Sequence, residues 1–378
     1  MNLLMIGGDR SVLRGKKGAF WYTLDALRQH WDRIDVLCPR KPRATSRKHQ
    51  APSTKHQDGH RPFPTVFFHP SPRGLWYQPW WIAREGRRIV DAHHTHVCTV
   101  HAYPPFHHVP GALLLRRKTG IPVLLEVHGL VGSPRAASLI DFLGRMLSRF
   151  LLPQIARRAD GVRVINTTLK QQLVAWKVPE EKITVVPSFY CDRAVWHPDA
   201  SAEKRYDFVF CARLDRNKGL RSVLQALASV PHATLLVIGD GADRKHCEEL
   251  SRRLGTEDRV TFAGWIAEQR EVAALYRQGC VFLQNARSEG GPRTALEAMA
   301  CGLPVISTCV GVMPDVLRDG ENGCFTTGEP EDLAEKMHNL LSDHDRLRRM
   351  GAAAARAVEG CEREGLIAQY THFLQSLR

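Results

Sequence analysis

No run of the sequence approaches the ~18 consecutive apolar residues that a membrane-crossing helix needs. The first residues, Met1 to Asp9, have neither a basic stretch nor a long apolar core, so a buried first strand is expected there rather than a secretory leader. Zinc-like cysteine spacing is missing as well. None of the ten cysteines falls in a C-x-x-C pair, and apolar neighbours flank Cys211, Cys280 and Cys301, which fits reduced thiols in a cytosolic core. No repeat with the period of a solenoid or propeller is evident. With 43% hydrophobic and 24% charged residues, the 378-residue chain is neither collagen-like nor a disordered tail, and its length suggests two domains.

Acidic residues are scarce in one half only. The first 200 positions hold 30 Lys and Arg against 14 Asp and Glu, and 13 of the 18 histidines; the remainder holds 23 basic against 25 acidic residues. A basic half joined to a neutral half predicts two domains with different partners, not a chain with general nucleic-acid affinity.

Short apolar runs alternate with helix-period stretches. Strands are expected at Leu3–Ile6, Ile34–Cys38, Thr65–His69, Val123–Val127 and Val162–Ile165, then at Phe208–Ala212, Thr234–Ile238, Val260–Phe262, Val281–Leu283 and Val305–Ser307. Their unbroken apolar character fits parallel strands covered on both faces. Helices are expected at Trp21–His30, Leu220–Ser229, Asp243–Leu254 and Arg293–Cys301, giving a doubly wound α/β architecture. The series restarts after Val186-Pro187-Ser188, so residues 1–190 and 191–363 read as separate Rossmann-like units, with a final helix at about 364–378 placed to pack back on the first. Arg40–Pro64, basic and proline-punctuated, reads as a long loop between the second and third strands.

The densest chemistry lies in Ser288-Glu289-Gly290-Gly291-Pro292-Arg293-Thr294-Ala295-Leu296-Glu297. Two glycines and a proline open a helix whose free N–H groups and dipole suit a phosphate. Glu289 and Glu297 are spaced so that their carboxylates could stand roughly 10 Å apart. That distance suits hydroxyls at the two ends of a nucleotide sugar, with the diphosphate between. Arg213 and Lys218 follow the first strand of the second half, at the edge where doubly wound sheets bind ligands, and suit a diphosphate whose charge grows as it leaves. Gly239-Asp240-Gly241 and Gly264-Trp265 end two further strands on that edge.

Together these segments resemble the GT-B fold retaining glycosyltransferases of family 4. The matched pieces are E-x7-E (Glu289, Glu297), R-x4-K (Arg213, Lys218), the G-D-G turn, Ala298–Ser307 and Val310–Asp315 followed by Asp319–Gly323. The resemblance implies two Rossmann-like domains facing a central cleft and transfer from a UDP- or GDP-sugar to an acceptor hydroxyl, without a metal or other cofactor. It implies that Arg213 and Lys218 hold the diphosphate, that Glu289 contacts the sugar and that Glu297 contacts the ribose. Amides of Gly290, Gly291 and Thr294 to Leu296 would bind sugar and phosphate, and Gly239, Gly241, Gly264 and Trp265 would complete the donor side. In the first half, Glu126-Val127-His128-Gly129 resembles the family's strand ending in His-Gly, which places His128 beside the transferred sugar. Two departures stand out: the glycines after the first strand, Gly15 and Gly18, are separated rather than adjacent, and Ser188-Phe189 replaces an Asn-Gly near the linker.

The cluster His93, His94 and His96, with His101, His107 and His108, has the ligand types of a zinc site, but the implied chemistry needs no metal. His101 and Tyr103 are expected to line the acceptor side, with Trp76 and Trp80. One rival reading is a GT-B fold sugar-nucleotide epimerase, which would turn over nucleotide sugar with no acceptor. A second, a basic nucleic-acid binder, would leave the nucleotide-site motifs unexplained.

The charge of the first half suggests docking on an anionic cytoplasmic membrane, with a lipid-linked acceptor for cell-envelope or polysaccharide synthesis. Arg40–Arg61 is polybasic, and Trp76-Tyr77-Gln78-Pro79-Trp80-Trp81 holds four aromatics in six residues. Leu139, Ile140, Leu143, Met146, Leu147, Phe150 and Leu151 form one helical stripe, for which packing against a sheet is the expectation.

Overall fold

The computed structural model describes residues 1–7, 12, 19–39, 63–104, 106–132, 136, 138–188 and 191–377. Gly15, Gly18, Phe189 and the Arg40–Arg61 stretch lie outside the described residues.

In the first half the order is β1 (Asn2–Ile6), α1 (Ala19–Leu27), β2 (Arg33–Cys38), β3 (Val66–Pro70), α2 (Gln78–His93), β4 (Val97–His101), α3 (Val109–Thr119), β5 (Val123–Val127), α4 (Leu139–Arg158), β6 (Gly161–Val164), α5 (Thr167–Ala175) and β7 (Ile183–Val185). The second half continues with β8 (Tyr206–Cys211), α6 (Leu220–Ala228), β9 (Leu235–Ile238), α7 (Arg244–Arg253), β10 (Val260–Gly264), α8 (Gln269–Arg277), β11 (Gly279–Gln284), α9 (Arg293–Ala300), β12 (Val305–Thr308), α10 (Met313–Val316), β13 (Gly323–Thr326), α11 (Pro330–Leu341), α12 (His344–Ala357) and α13 (Arg363–Ser376).

Two wholly parallel sheets result, β3-β2-β1-β4-β5-β6-β7 and β10-β9-β8-β11-β12-β13. The strand order turns back at β1/β4 in the first sheet and at β8/β11 in the second, the switch points beside which such sheets bind ligands. Three strands, β4, β7 and β13, escape the sequence pattern. β4 is an apolar run bracketed by histidines, yet it is buried at the centre of its sheet. Helices α2 to α5 pack on one face of the first sheet, sharing a core with Trp81, Ile82, Leu115, Leu152 and Leu173. The other face is covered by α1 and by α13, whose Ile367, Tyr370 and Leu374 join the core of Leu24, Leu27 and Val36. The last helix thus crosses back over the first sheet.

Two local expectations are corrected here. The apolar stripe of α4 meets the core only at its edge, through Leu151: Ser148, Leu152 and Ala156, on the opposite side of the helix, are buried, while Leu139, Ile140, Leu143, Leu147 and Phe150 face solvent. Nor do all four aromatics before and within α2 face outward. Trp81 is in the core and Tyr77 packs against it, leaving Trp76 and Trp80 exposed.

Candidate active site

Because all strands in each sheet are parallel, every loop at their carboxyl ends emerges on one edge, and the two edges meet. They enclose a cavity of about 650 Å³ lined by His101, Tyr103, Glu126, His128 and Gly129 from the first half and by Arg213, Asn217, Ser288, Glu289 and Gly290 from the second. Behind the His128–Gly290 contact lies a second cavity of about 550 Å³, reached by Arg163, Asn166, Gly291, Leu296, Asp315 and Tyr370.

The halves touch through backbone. A Cβ added to Gly290 would lie 1.9 Å from the His128 carbonyl oxygen, so the close approach requires glycine. Asn166 Nδ2 donates to the Gly290 carbonyl at 3.2 Å, and the Asp315 carboxylate accepts from the Thr167 amide at 2.7 Å and the Thr168 hydroxyl at 3.0 Å. The start of α5 is therefore held by α10.

On the second-half wall, the Lys218 ammonium pairs with the Glu289 carboxylate, and Arg213 Nε donates to Asp215 at 2.9 Å while most of its side chain stays in solvent. The amides of Gly290, Gly291 and Thr294 donate to no described residue. Those of Ala295 and Leu296 both donate to the Pro292 carbonyl, at 3.0 and 3.3 Å, which narrows the expected set of free amides at the start of α9. Glu297 is buried rather than solvated, 3.8 Å from Arg293, and burial pushes its pKa up to about 7. Gly239 and Gly241 pack against the carbonyls of Ala212 and Leu214, and the Gly239 amide donates to the Gly264 carbonyl at 2.7 Å, so the two glycine-bearing loops and the Arg213 loop form one surface. Trp265 stands exposed beside it. Neither Trp265 nor Glu297 lines the two cavities, and Trp76 and Trp80 line neither.

The first-half wall is organised by Glu126, which sequence reasoning passed over. This buried carboxylate accepts from His101 Nε2 and His128 Nε2, each at 3.1 Å, from Arg163 Nη1 at 3.2 Å, and from the Tyr370 hydroxyl of α13. Register explains the arrangement: His101, Glu126 and Arg163 are direct neighbours on β4, β5 and β6. Arg163 also donates to the carbonyls of Val186 and Pro187, both at 3.0 Å, and stacks 3.7 Å over the Tyr370 ring. Burial raises the Glu126 pKa, but the charge of Arg163 and the two histidine hydrogen bonds outweigh it and hold the group well below the usual carboxylate range. Burial lowers the His128 pKa, and its bond to Glu126 only partly offsets this. A charged residue inside each of two apolar strands, Leu-Leu-Glu126-Val and Val-Arg163-Val, was the legible signal.

Ligand atoms of His101, Glu126 and His128 lie within 4.8 Å of one another, a spacing a cation could bridge. Arg163 and Tyr370 already occupy the carboxylate, and an adjacent guanidinium opposes a cation there. Of the six histidines with the ligand types of a zinc site, only His101 joins this group among the described residues; the other histidine in it is His128.

Comparisons with known proteins cover nearly the whole chain. Residues 19–188 match the family described as "Glycosyl transferase 4-like domain", and residues 193–357 match "Glycosyl transferases group 1". The chain belongs to the GT-B glycosyltransferases of group 1, family 4. Among curated relatives of this glycosyltransferase, N-acetyl-alpha-D-glucosaminyl L-malate synthase of Bacillus anthracis is 26% identical over 332 residues, 82% of this chain and 83% of that protein. The lipopolysaccharide 1,6-galactosyltransferase of Salmonella typhimurium is 30% identical over 190 residues, 49% of this chain and 53% of that protein. In fold the glycosyltransferase is similar to sucrose-phosphate synthase of Thermosynechococcus elongatus, with a TM-score of 0.79, 20% identity, and 100% of this chain and 98% of that chain covered. It is also similar to Anabaena HepE in complex with UDP and glucose, with a TM-score of 0.75, 20% identity and all of both chains covered.

Proposed function

We propose that this glycosyltransferase moves a sugar from a UDP- or GDP-sugar to an acceptor hydroxyl with retention at the anomeric carbon. The observation that carries the reading is the cavity of about 650 Å³ in which Glu289 and Arg213 face His101 and His128 across the meeting sheet edges. Its volume suits a ligand of this size. Arg213 and Lys218 bind the diphosphate, and Glu289, now paired with Lys218, turns to the sugar hydroxyls once the diphosphate takes the ammonium. Glu297 accepts from the ribose hydroxyls, and the free amides of Gly290, Gly291 and Thr294 face the anion.

The bond between the anomeric carbon and the diphosphate oxygen breaks as the acceptor oxygen bonds to the same face. The acceptor's proton passes to the leaving diphosphate. The protein supplies position and charge rather than a nucleophile. His128 stands beside the reacting carbon, its ring oriented by Glu126. This step needs no metal or other cofactor. The acceptor is a lipid-linked intermediate of cell-envelope or polysaccharide synthesis, taken at the cytoplasmic face of the membrane. That the relatives include a lipopolysaccharide galactosyltransferase supports this, as does the basic first half.

A panel of UDP- and GDP-sugars assayed for slow hydrolysis, with and without candidate acceptors, tests the reading. The expected result is release of one nucleotide diphosphate and an α-linked product from an α-linked donor. Interconversion of nucleotide sugars with no acceptor would establish an epimerase instead.

A further inference from the structure

Six large apolar side chains of α4, Leu139, Ile140, Phe142, Leu143, Leu147 and Phe150, face solvent, with Leu139 and Ile140 exposed by 73% and 80%. Most share one side: Leu143, Leu147 and Phe150 follow at i, i+4 and i+7, opposite the buried Ser148, Leu152 and Ala156. The same side ends in exposed Arg157 and Arg158. A contiguous apolar face of this kind on a helix marks an interaction surface.

Helices α2, α3 and α4 each follow a parallel strand on the same face of the sheet, so all three begin at the carboxyl edge that forms the cavity wall. Trp76 and Trp80, exposed by 97% and 70%, therefore stand at the same end of this helical layer as the first turn of α4. Ser138 and Asp141, at that first turn, line the larger cavity itself.

We infer that this face is a docking surface for an anionic lipid bilayer. Charge decides the occupant. A second copy of the chain would bring the same basic half, 30 Lys and Arg against 14 Asp and Glu, and be repelled, whereas acidic headgroups are attracted. The helix lies in the interface with its apolar side in the acyl boundary, and the two tryptophans sit at headgroup level. The cavity mouth then opens at the depth of a lipid-linked hydroxyl. This last point deepens the proposed transfer and rests on it; bilayer binding does not.

Co-sedimentation with vesicles tests the surface, using phosphatidylcholine alone and phosphatidylcholine mixed with phosphatidylglycerol. The full chain should pellet with the mixed vesicles only, and less as salt rises. The double variant Leu143→Gln, Phe150→Gln changes two exposed side chains and should weaken partitioning by about tenfold or more. Its hydrolysis of nucleotide sugar in solution should be unchanged. Equal pelleting of parent and variant, binding that ignores lipid charge, or no binding at all overturns the inference. So does a parent dimer that the variant converts to monomer, which would make a second copy the occupant. Hydrolysis without vesicle binding sinks the docking surface and leaves the transferase; vesicle binding without turnover does the reverse.

Discussion

Replacing Glu126 with glutamine removes one charge from the centre of the first sheet while keeping the side chain's shape. Glu126 and Arg163 are 3% and 4% exposed, so the guanidinium would be left buried without its counter-charge. Breaking a buried pair costs ~3–5 kcal/mol. The carbonyls of Val186 and Pro187 still accept from Arg163, which puts the expected loss at the low end, about 3 kcal/mol. For a unit of this size that corresponds to a fall in melting temperature of roughly 6–12 °C. The sign with pH follows from the depressed pKa. An unfolded glutamate titrates near ~4.3, so the stabilisation is complete above that pH and is lost as pH falls through the lower folded value. The gap between parent and variant should hold from pH 7 to 5 and narrow below about 4. Tyr370→Phe removes a hydroxyl that donates to the same carboxylate, and the double variant should lose less than the sum of the single losses. Circular dichroism melts of the four proteins across pH provide the measurement. A parent and Glu126→Gln variant that melt within a degree or so of each other at pH 7, or a gap that widens in acid, would refute the reasoning.

Glu289→Ala should lose most turnover while binding free nucleotide diphosphate nearly as well as the parent, as read by calorimetry, because free nucleotide has no sugar to contact. Arg213→Ala and Lys218→Ala should each weaken nucleotide diphosphate binding about tenfold or more, with little change for the unphosphorylated nucleoside. Glu297, with its pKa raised to about 7 by burial, stabilises the fold in its protonated form, an effect fully present below about 4.3 and lost as pH rises through about 7. Glu297→Gln should therefore melt above the parent at pH 8 and level with it at pH 4. Parent nucleotide affinity should rise between pH 6 and 8, as the carboxylate forms to accept from the ribose, and the variant's should stay flat.

The alternation of unbroken apolar runs with helix-period stretches was enough to call for parallel, doubly wound sheets, since only strands covered on both faces tolerate such runs. Glu289 with Glu297, and Arg213 with Lys218, could be picked out as candidates because each pair sits at a fixed spacing within one segment of chain, the first pair around a glycine-rich loop. What needed the tertiary structure were relations between distant segments. Glu126 becomes a hub only when β4, β5 and β6 lie side by side in register and α13, nearly 250 positions away, lays Tyr370 over Arg163. Asp315 closes on the start of α5 only across the meeting of the halves. The stripe on α4 shows the limit most plainly. Periodicity reports that a helix has an apolar side, but the sheet took the other side, through Ser148, Leu152 and Ala156. Which face of a helix meets its sheet depends on how strand and helix pack together, and no pattern within the helix encodes that choice.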